Sequence, residues 1–128
     1  MYCSVLQFGG GQFLRAFVDL FVEEAREDGQ DVGDVVVVQS TFSRRAEYFN
    51  SQSNGYHVLI RGIVDGHHVE RLDKVRVVRR AIVADEAWEE VQSVALQQSI
   101  KWVVSNVTEA GYALEIDDSI AKPRSYPA

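Results

Sequence analysis

The feature that most narrows the fold of this chain lies near its start, where a short apolar run, Ser4 to Phe8, stops at Gly9-Gly10-Gly11. A run of that kind, closed by a tight turn, reads as a buried strand of a parallel sheet. Helical spacing follows at once: Phe13, Phe17, Leu20, Phe21 and Ala25 recur at three and four, while Glu23, Glu24, Glu27 and Asp28 point elsewhere. Gly29 stops that helix. After a polar connection through Asp34, Val35-Val36-Val37-Val38 shows no polar alternation and reads as a second strand covered on both faces. Strand, glycine turn, helix and strand form a βαβ unit, so the expected fold class is α/β with a mostly parallel sheet.

The chain has 128 residues, of which 46% are apolar, enough for one core and one domain spanning 1–128. Thirteen Lys and Arg against nineteen Asp and Glu leave a net charge of −6. That field repels phosphate backbones and anionic lipid, so neither nucleic acid nor membrane is an expected partner. No apolar run approaches the roughly 18 residues that span a bilayer, and the start lacks a basic signal-peptide region. Cys3 is the single cysteine, which suits a reducing cytoplasm and leaves no internal disulfide.

The middle has a different period. Tyr56 to Val64 and His68 to Val78 flank Asp65-Gly66, the dipeptide of a two-residue hairpin turn, so an antiparallel excursion is expected. Ser43 to Asn50 reads as a short helix and Ser51 to Gly55 as a loop. From Asp85, a candidate N-cap, Trp88, Val91, Ala95 and Leu96 form one helical face that ends near Ser99. Trp102 to Ser105 is a third short strand, and the tail with Pro123 and Pro127 is irregular.

The glycine turn carries the sharpest chemical signal. A Gly-x-Gly turn lets backbone approach a pyrophosphate, whose charge is met by the N–H groups opening the next helix. The generic fingerprint would place a third glycine where Leu14 stands, so a purely structural turn remains open from spacing alone. The acid expected after the second strand is also replaced, by Gln39, Ser40 and Thr41. Gln39 could accept from ribose hydroxyls, and Arg44 and Arg45 could face a 2′-phosphate or line a solvated helix face, which leaves both NAD and NADP open. Beyond the third strand, Ser105-Asn106-Val107-Thr108-Glu109-Ala110-Gly111 places polar groups where open α/β sheets bind ligands, and an ordinary helix cap would look the same. His57, His67 and His68 show no metal spacing, and Cys3 precedes the strand without an activating helix terminus.

Together, Val5 to Asp19 with its phrase Phe8-Gly9-Gly10-Gly11-Gln12-Phe13-Leu14-Arg15-Ala16-Phe17, Val35 to Gln39, Gly55-Tyr56-His57 with Ile60-Arg61-Gly62, Ser105 to Gly111 and Ser125-Tyr126-Pro127-Ala128 resemble, in order, landmarks of the tagaturonate reductase (altronate oxidoreductase) group of the mannitol dehydrogenase family. That family's turn lacks the third glycine and often has Glu where Gly10 stands, and its Thr-Thr-Glu phrase has Val107 here. The resemblance implies an N-terminal Rossmann-like domain that binds NAD(H) through Phe8, Gly9, Gly10, Gly11, Gln12, Phe13, Gln39, Ser105, Asn106, Thr108 and Glu109. The implied reaction is oxidation or reduction at the CH–OH group of a hexuronate, aldonate or polyol. In the family a helical C-terminal domain supplies the catalytic Lys, Asn and His; its absence after Ala128 is expected here, so no catalytic residue is assigned and a sugar acid or polyol becomes a partner only if that domain is supplied. The alternative is a non-catalytic, standalone or truncated module that binds a nucleotide or a partner chain. Finally, Ser4 to Phe8, Val35 to Gln39 and Trp102 to Ser105 supply about half of a six-stranded sheet. An open edge beside Phe17, Phe21 and Trp102 implies a homo-oligomer.

Overall fold

The computed structural model describes residues 2–40, 44–52, 54–107, 113–114 and 116–122. The βαβ start is present: β1 (Cys3–Phe8), α1 (Gln12–Ala16), α2 (Val18–Glu27) and β2 (Asp34–Gln39). Every residue of β2 is buried, as its β-branched run requires of a strand covered on both faces. Then come α3 (Arg44–Ser51), β3 (Tyr56–Val64), β4 (His67–Val75), β5 (Val78–Val83), α4 (Ala84–Ala95) and β6 (Trp102–Ser105). The main sheet is wholly parallel in the order β5-β2-β1-β6. Side chains alternate to two cores. Val5, Leu20, Val35, Val37, Phe49 and Val77 pack on one face, and Leu6, Val36, Val38, Ile82, Val91 and Val94 on the other.

The hairpin β3–β4 forms a separate antiparallel sheet, with Asp65 at φ 50° and Gly66 at φ 77°, the positive angles of a tight two-residue turn. It ends at Val75 rather than Val78. Val78–Val83 instead joins the main sheet as a fourth parallel strand, which corrects the expected count of three. The break between them is fixed by Glu23, whose Oε2 accepts the backbone N–H groups of Arg76 and Val77.

The helical stripe is also corrected. The helix after the turn is interrupted at Phe17 (φ −117°, ψ −71°), whose ring stacks on Phe13 and meets Phe21 edge-on, all three at least 48% exposed. The buried face is Leu14, Asp19, Leu20 and Glu23. Two carboxylates displace phenylalanines from the interior because each finds hydrogen-bond donors there, without which burial would be prohibitive. Likewise α4 starts after Val83, not at Asp85, ends at Ala95, and buries Val91 and Val94 while Trp88 and Leu96 stay exposed. No helix among the described residues is long and apolar enough to cross a membrane.

Candidate functional site at the glycine turn

The chain runs β1, β2, β5 to one side and returns with β6 on the other side of β1, so the order switches at the carboxyl end of β1. Open α/β sheets bind ligands in the crevice at such a switch. There Gly9 adopts φ +101°, a region that L side chains rarely enter, and its N–H donates to Val38 O at 2.8 Å, tying the turn to the end of β2. A cavity of about 290 Å³ opens on the turn, lined by Phe8, Gly9, Gly10, Gly11, Gln39 and Trp88, with Val38, Ser40, Arg45 and Ala84 completing its wall.

The three glycines do different work. A Cβ at Gly10 would lie 2.5 Å from Gln39 Nε2 and 2.6 Å from the Phe49 ring, so this position closes against protein. A larger residue there requires Gln39 and Phe49 to move. At Gly11 a Cβ would meet nothing within 4 Å, and its φ of −66° suits any residue. Neither packing nor backbone conformation asks for glycine at that point. Gly11 is the N-cap of α1 and, having no side chain, caps none of the opening N–H groups of the helix. Gln39 is buried at 9% exposure, and among the described residues its Nε2 has no hydrogen-bond partner.

The structure thus brings Phe8, Gly9, Gly10, Gly11 and Gln39 together. Gln12 and Phe13 are exposed on α1; Gln12 faces a neighbouring cavity of about 260 Å³ with Arg15, Tyr56 and His57. Ser105 pairs with Phe8 across the switch, and Asn106 follows it, both exposed and outside the 290 Å³ cavity. Thr108 and Glu109 lie outside the described residues. Trp88 and Ala84 were not among the residues picked from sequence, because they follow the strand β5 that the hairpin pattern concealed. Of the two arginines weighed for a 2′-phosphate, Arg45 lines the cavity and Arg44 does not.

Beneath the turn sits a buried polar network. Gln7 Nε2 donates to Gly9 O at 3.2 Å and to Asp19 Oδ2 at 3.4 Å. Tyr56 OH donates to the same Oδ2 at 3.0 Å and lies 2.9 Å from Arg15 O. Burial pushes the Asp19 carboxyl up to about 6, against the opposing pull of the Tyr56 and Gln7 hydrogen bonds and the Arg15 charge. The same burial, with the Asp19 charge beside it, raises the Tyr56 phenol far above its ordinary value, so it stays protonated. Cys3 is half-buried, donates to Val5 O, and has its thiol pushed up by burial, the behaviour of a packed residue rather than a nucleophile. The three histidines are exposed, and no group of three metal-ligating side chains occurs among the described residues.

No protein-family model matches the chain. It is 37% identical over 127 residues to an altronate oxidoreductase of Phocaeicola vulgatus, covering 96% of this chain and 26% of that protein. An altronate oxidoreductase of Bacteroides thetaiotaomicron is 35% identical over the same shares. Among solved structures, a D-sorbitol dehydrogenase in substrate-free form superposes with a TM-score of 0.68 at 24% identity, over 91% of this chain and 24% of that one. A mannitol 2-dehydrogenase of Pseudomonas fluorescens, in a ternary complex with NAD and D-mannitol, gives 0.66 at 16% identity, over 89% and 23%. The fold is therefore the Rossmann-like α/β arrangement of these dehydrogenases. Over 96% of its length the chain is similar in sequence to altronate oxidoreductases. It spans about a quarter of the length of those relatives.

Proposed function

We propose that this chain is the NAD(H)-binding part of an oxidoreductase acting on the CH–OH group of a hexuronate, aldonate or polyol. The observation that carries this reading is Gly11: its backbone is ordinary and its Cβ direction is empty, so the glycine serves what enters the cavity rather than the fold. The residues fit a dinucleotide. Gly9, Gly10 and Gly11 would face the pyrophosphate, and the unpartnered Gln39 Nε2 supplies a buried donor at the rim of the same cavity. A cavity bearing Arg45 and no carboxylate accommodates NADP as well as NAD. When bound, the nicotinamide supplies hydride chemistry. This chain's part is to hold and orient the cofactor, and the substrate pocket and catalytic groups belong to a helical domain on the pattern of the family. A cytoplasmic location and self-association through the β6 edge complete the proposal.

The test is Gly11→Val. Calorimetry with NADH should give micromolar or weaker binding to the 128-residue chain, since a cavity of about 290 Å³ encloses only a small part of a dinucleotide. Gly11→Val should lose that binding with circular dichroism and melting unchanged. An unchanged dissociation constant in the folded variant would make the turn purely structural, and nanomolar binding or robust turnover by this chain would contradict the division of labour.

A further inference from the structure

Asp19 and Gln7 lie outside the 290 Å³ cavity, yet both are wholly buried and chained to its floor. Gln7 links Asp19 to the turn: its Nε2 donates to the Gly9 carbonyl at 3.2 Å and to Asp19 Oδ2 at 3.4 Å. Among the described residues, Gln7 Oε1 and Asp19 Oδ1 have no hydrogen-bond partner. We propose that Asp19 is a positioning residue for the dinucleotide turn, holding Gly9 through Gln7 while ionised and releasing it when protonated. This rests on the dinucleotide reading above for its effect on affinity, but not for the relay itself.

The logic is one of donors and acceptors. An ionised carboxylate only accepts, so it fixes the Gln7 amide with its NH2 toward Asp19 and Gly9. A protonated carboxyl gains a donor; the Tyr56 oxygen can take it only by committing its own proton to Arg15 O, whereas Gln7 Oε1 lacks a partner among the described residues. Turning the amide to satisfy that donor takes Nε2 away from the Gly9 carbonyl. The surroundings favour a transition in the accessible range: burial raises the carboxyl to about 6. The groups facing it are Gln7 of β1, Arg15 of α1 and Tyr56 of β3, with Glu23 of α2 acting on Tyr56. Arg15 lies with its guanidinium 5.9 Å from the Tyr56 ring centre, and its buried Nε makes no hydrogen bond among the described residues.

Nuclear magnetic resonance on the 128-residue chain separates the two parts. Without ligand, the Gln7 side-chain NH2 and the Gly10 N–H, which shares the Gly9 peptide plane, should titrate with one midpoint near 6. Both titrations should vanish in Asp19→Asn. In Gln7→Leu the carboxyl should still titrate while Gly10 no longer follows it, a second route should the first variant fold poorly. With NAD+ added, the dissociation constant should rise about tenfold from pH 7.5 to pH 5 in the native chain, the factor expected if only the ionised form holds the turn. It should change less than twofold in Asp19→Asn. A Gly10 titration that persists in Asp19→Asn overturns the relay. NAD+ binding that is absent at every pH overturns the dinucleotide reading and the affinity effect together, while the ligand-free titration still decides the relay.

Discussion

Replacing Glu23 with Ala tests the contact that divides the hairpin from the main sheet. The Glu23 side chain is buried, and its Oε2 accepts the backbone N–H groups of Arg76 and Val77, the latter at 2.8 Å. Val77 is wholly buried, so no water can take the place of the carboxylate, and an orphaned N–H of that kind costs ~1–3 kcal/mol. The Arg76 N–H is only part-buried and recovers more of its loss from solvent. Lost packing of the Glu23 side chain brings the expected cost of Glu23→Ala to about 2–4 kcal/mol, a large share of the ~5–15 kcal/mol that stabilises a typical domain. Glu23→Gln keeps an acceptor and should cost about 1 kcal/mol. Glu24→Ala, next in the chain but paired at the surface with the exposed Arg71, should cost under about 1 kcal/mol. Urea unfolding followed by circular dichroism measures all three, and hydrogen exchange at Val77 should accelerate only in the Ala variant. A loss below about 0.5 kcal/mol for Glu23→Ala, or equal losses for Glu23 and Glu24, would show that the staple does not hold the β4–β5 junction.

Three further outcomes follow from the same contacts. Since the Asp19 carboxyl rises from 3.8 to about 6 on folding, the native state binds its proton more tightly, and this group disfavours folding increasingly as pH climbs through that window, by ~3 kcal/mol in full. Asp19→Asn should therefore gain stability relative to the native chain on going from pH 4 to pH 7.5, and a pH-independent difference in urea midpoints would refute the assignment. Gly10→Ala should destabilise by about 1–3 kcal/mol through its 2.5 Å and 2.6 Å approaches to Gln39 and Phe49, whereas Gly11→Ala should melt with the native chain; equal melting of the two would contradict the turn geometry. The β6 edge bears Trp102 and the 66% exposed Val103 beside Phe21, and light scattering at micromolar concentration should report a dimer or larger that Val103→Lys disperses, against which a 14.4 kDa monomer would count.

Legibility from sequence followed the range of the forces involved. The strand, turn and helix from Ser4 to Glu27 and the Asp65-Gly66 hairpin are set by local rhythm and local backbone preference, and both are found in place. Strand β5 was hidden because residues 75–83 carry no glycine or proline at the break; what ends the hairpin is the carboxylate of Glu23, far away in sequence. The phenylalanine stripe misled for a related reason. Period shows which residues share a face, but which face is buried depends on partners, and Gln7, Tyr56 and the Arg76–Val77 backbone make carboxylates acceptable inside. At the cavity, position alone placed the glycine turn and Gln39, whereas Trp88, already on the expected helical face, reaches the cavity wall because β5 joins the main sheet.

The placement of β1 carries a consequence for synthesis of the chain. It precedes the other strands of its sheet in the sequence, yet it is central, with one edge paired by β2 and the other by β6. On a ribosome β2 emerges soon after it, but the Ser105 end of β6 follows only after the intervening helices, hairpin and β5 have been polymerised. At about 5–20 residues per second, the nascent chain spends several seconds with the β6-facing edge of Val5 to Phe8 unpaired. During that interval the half-built sheet presents a template for any extended segment nearby, so its yield in the cell depends on translation speed and on what shields the emerging chain as well as on the stability of the finished fold.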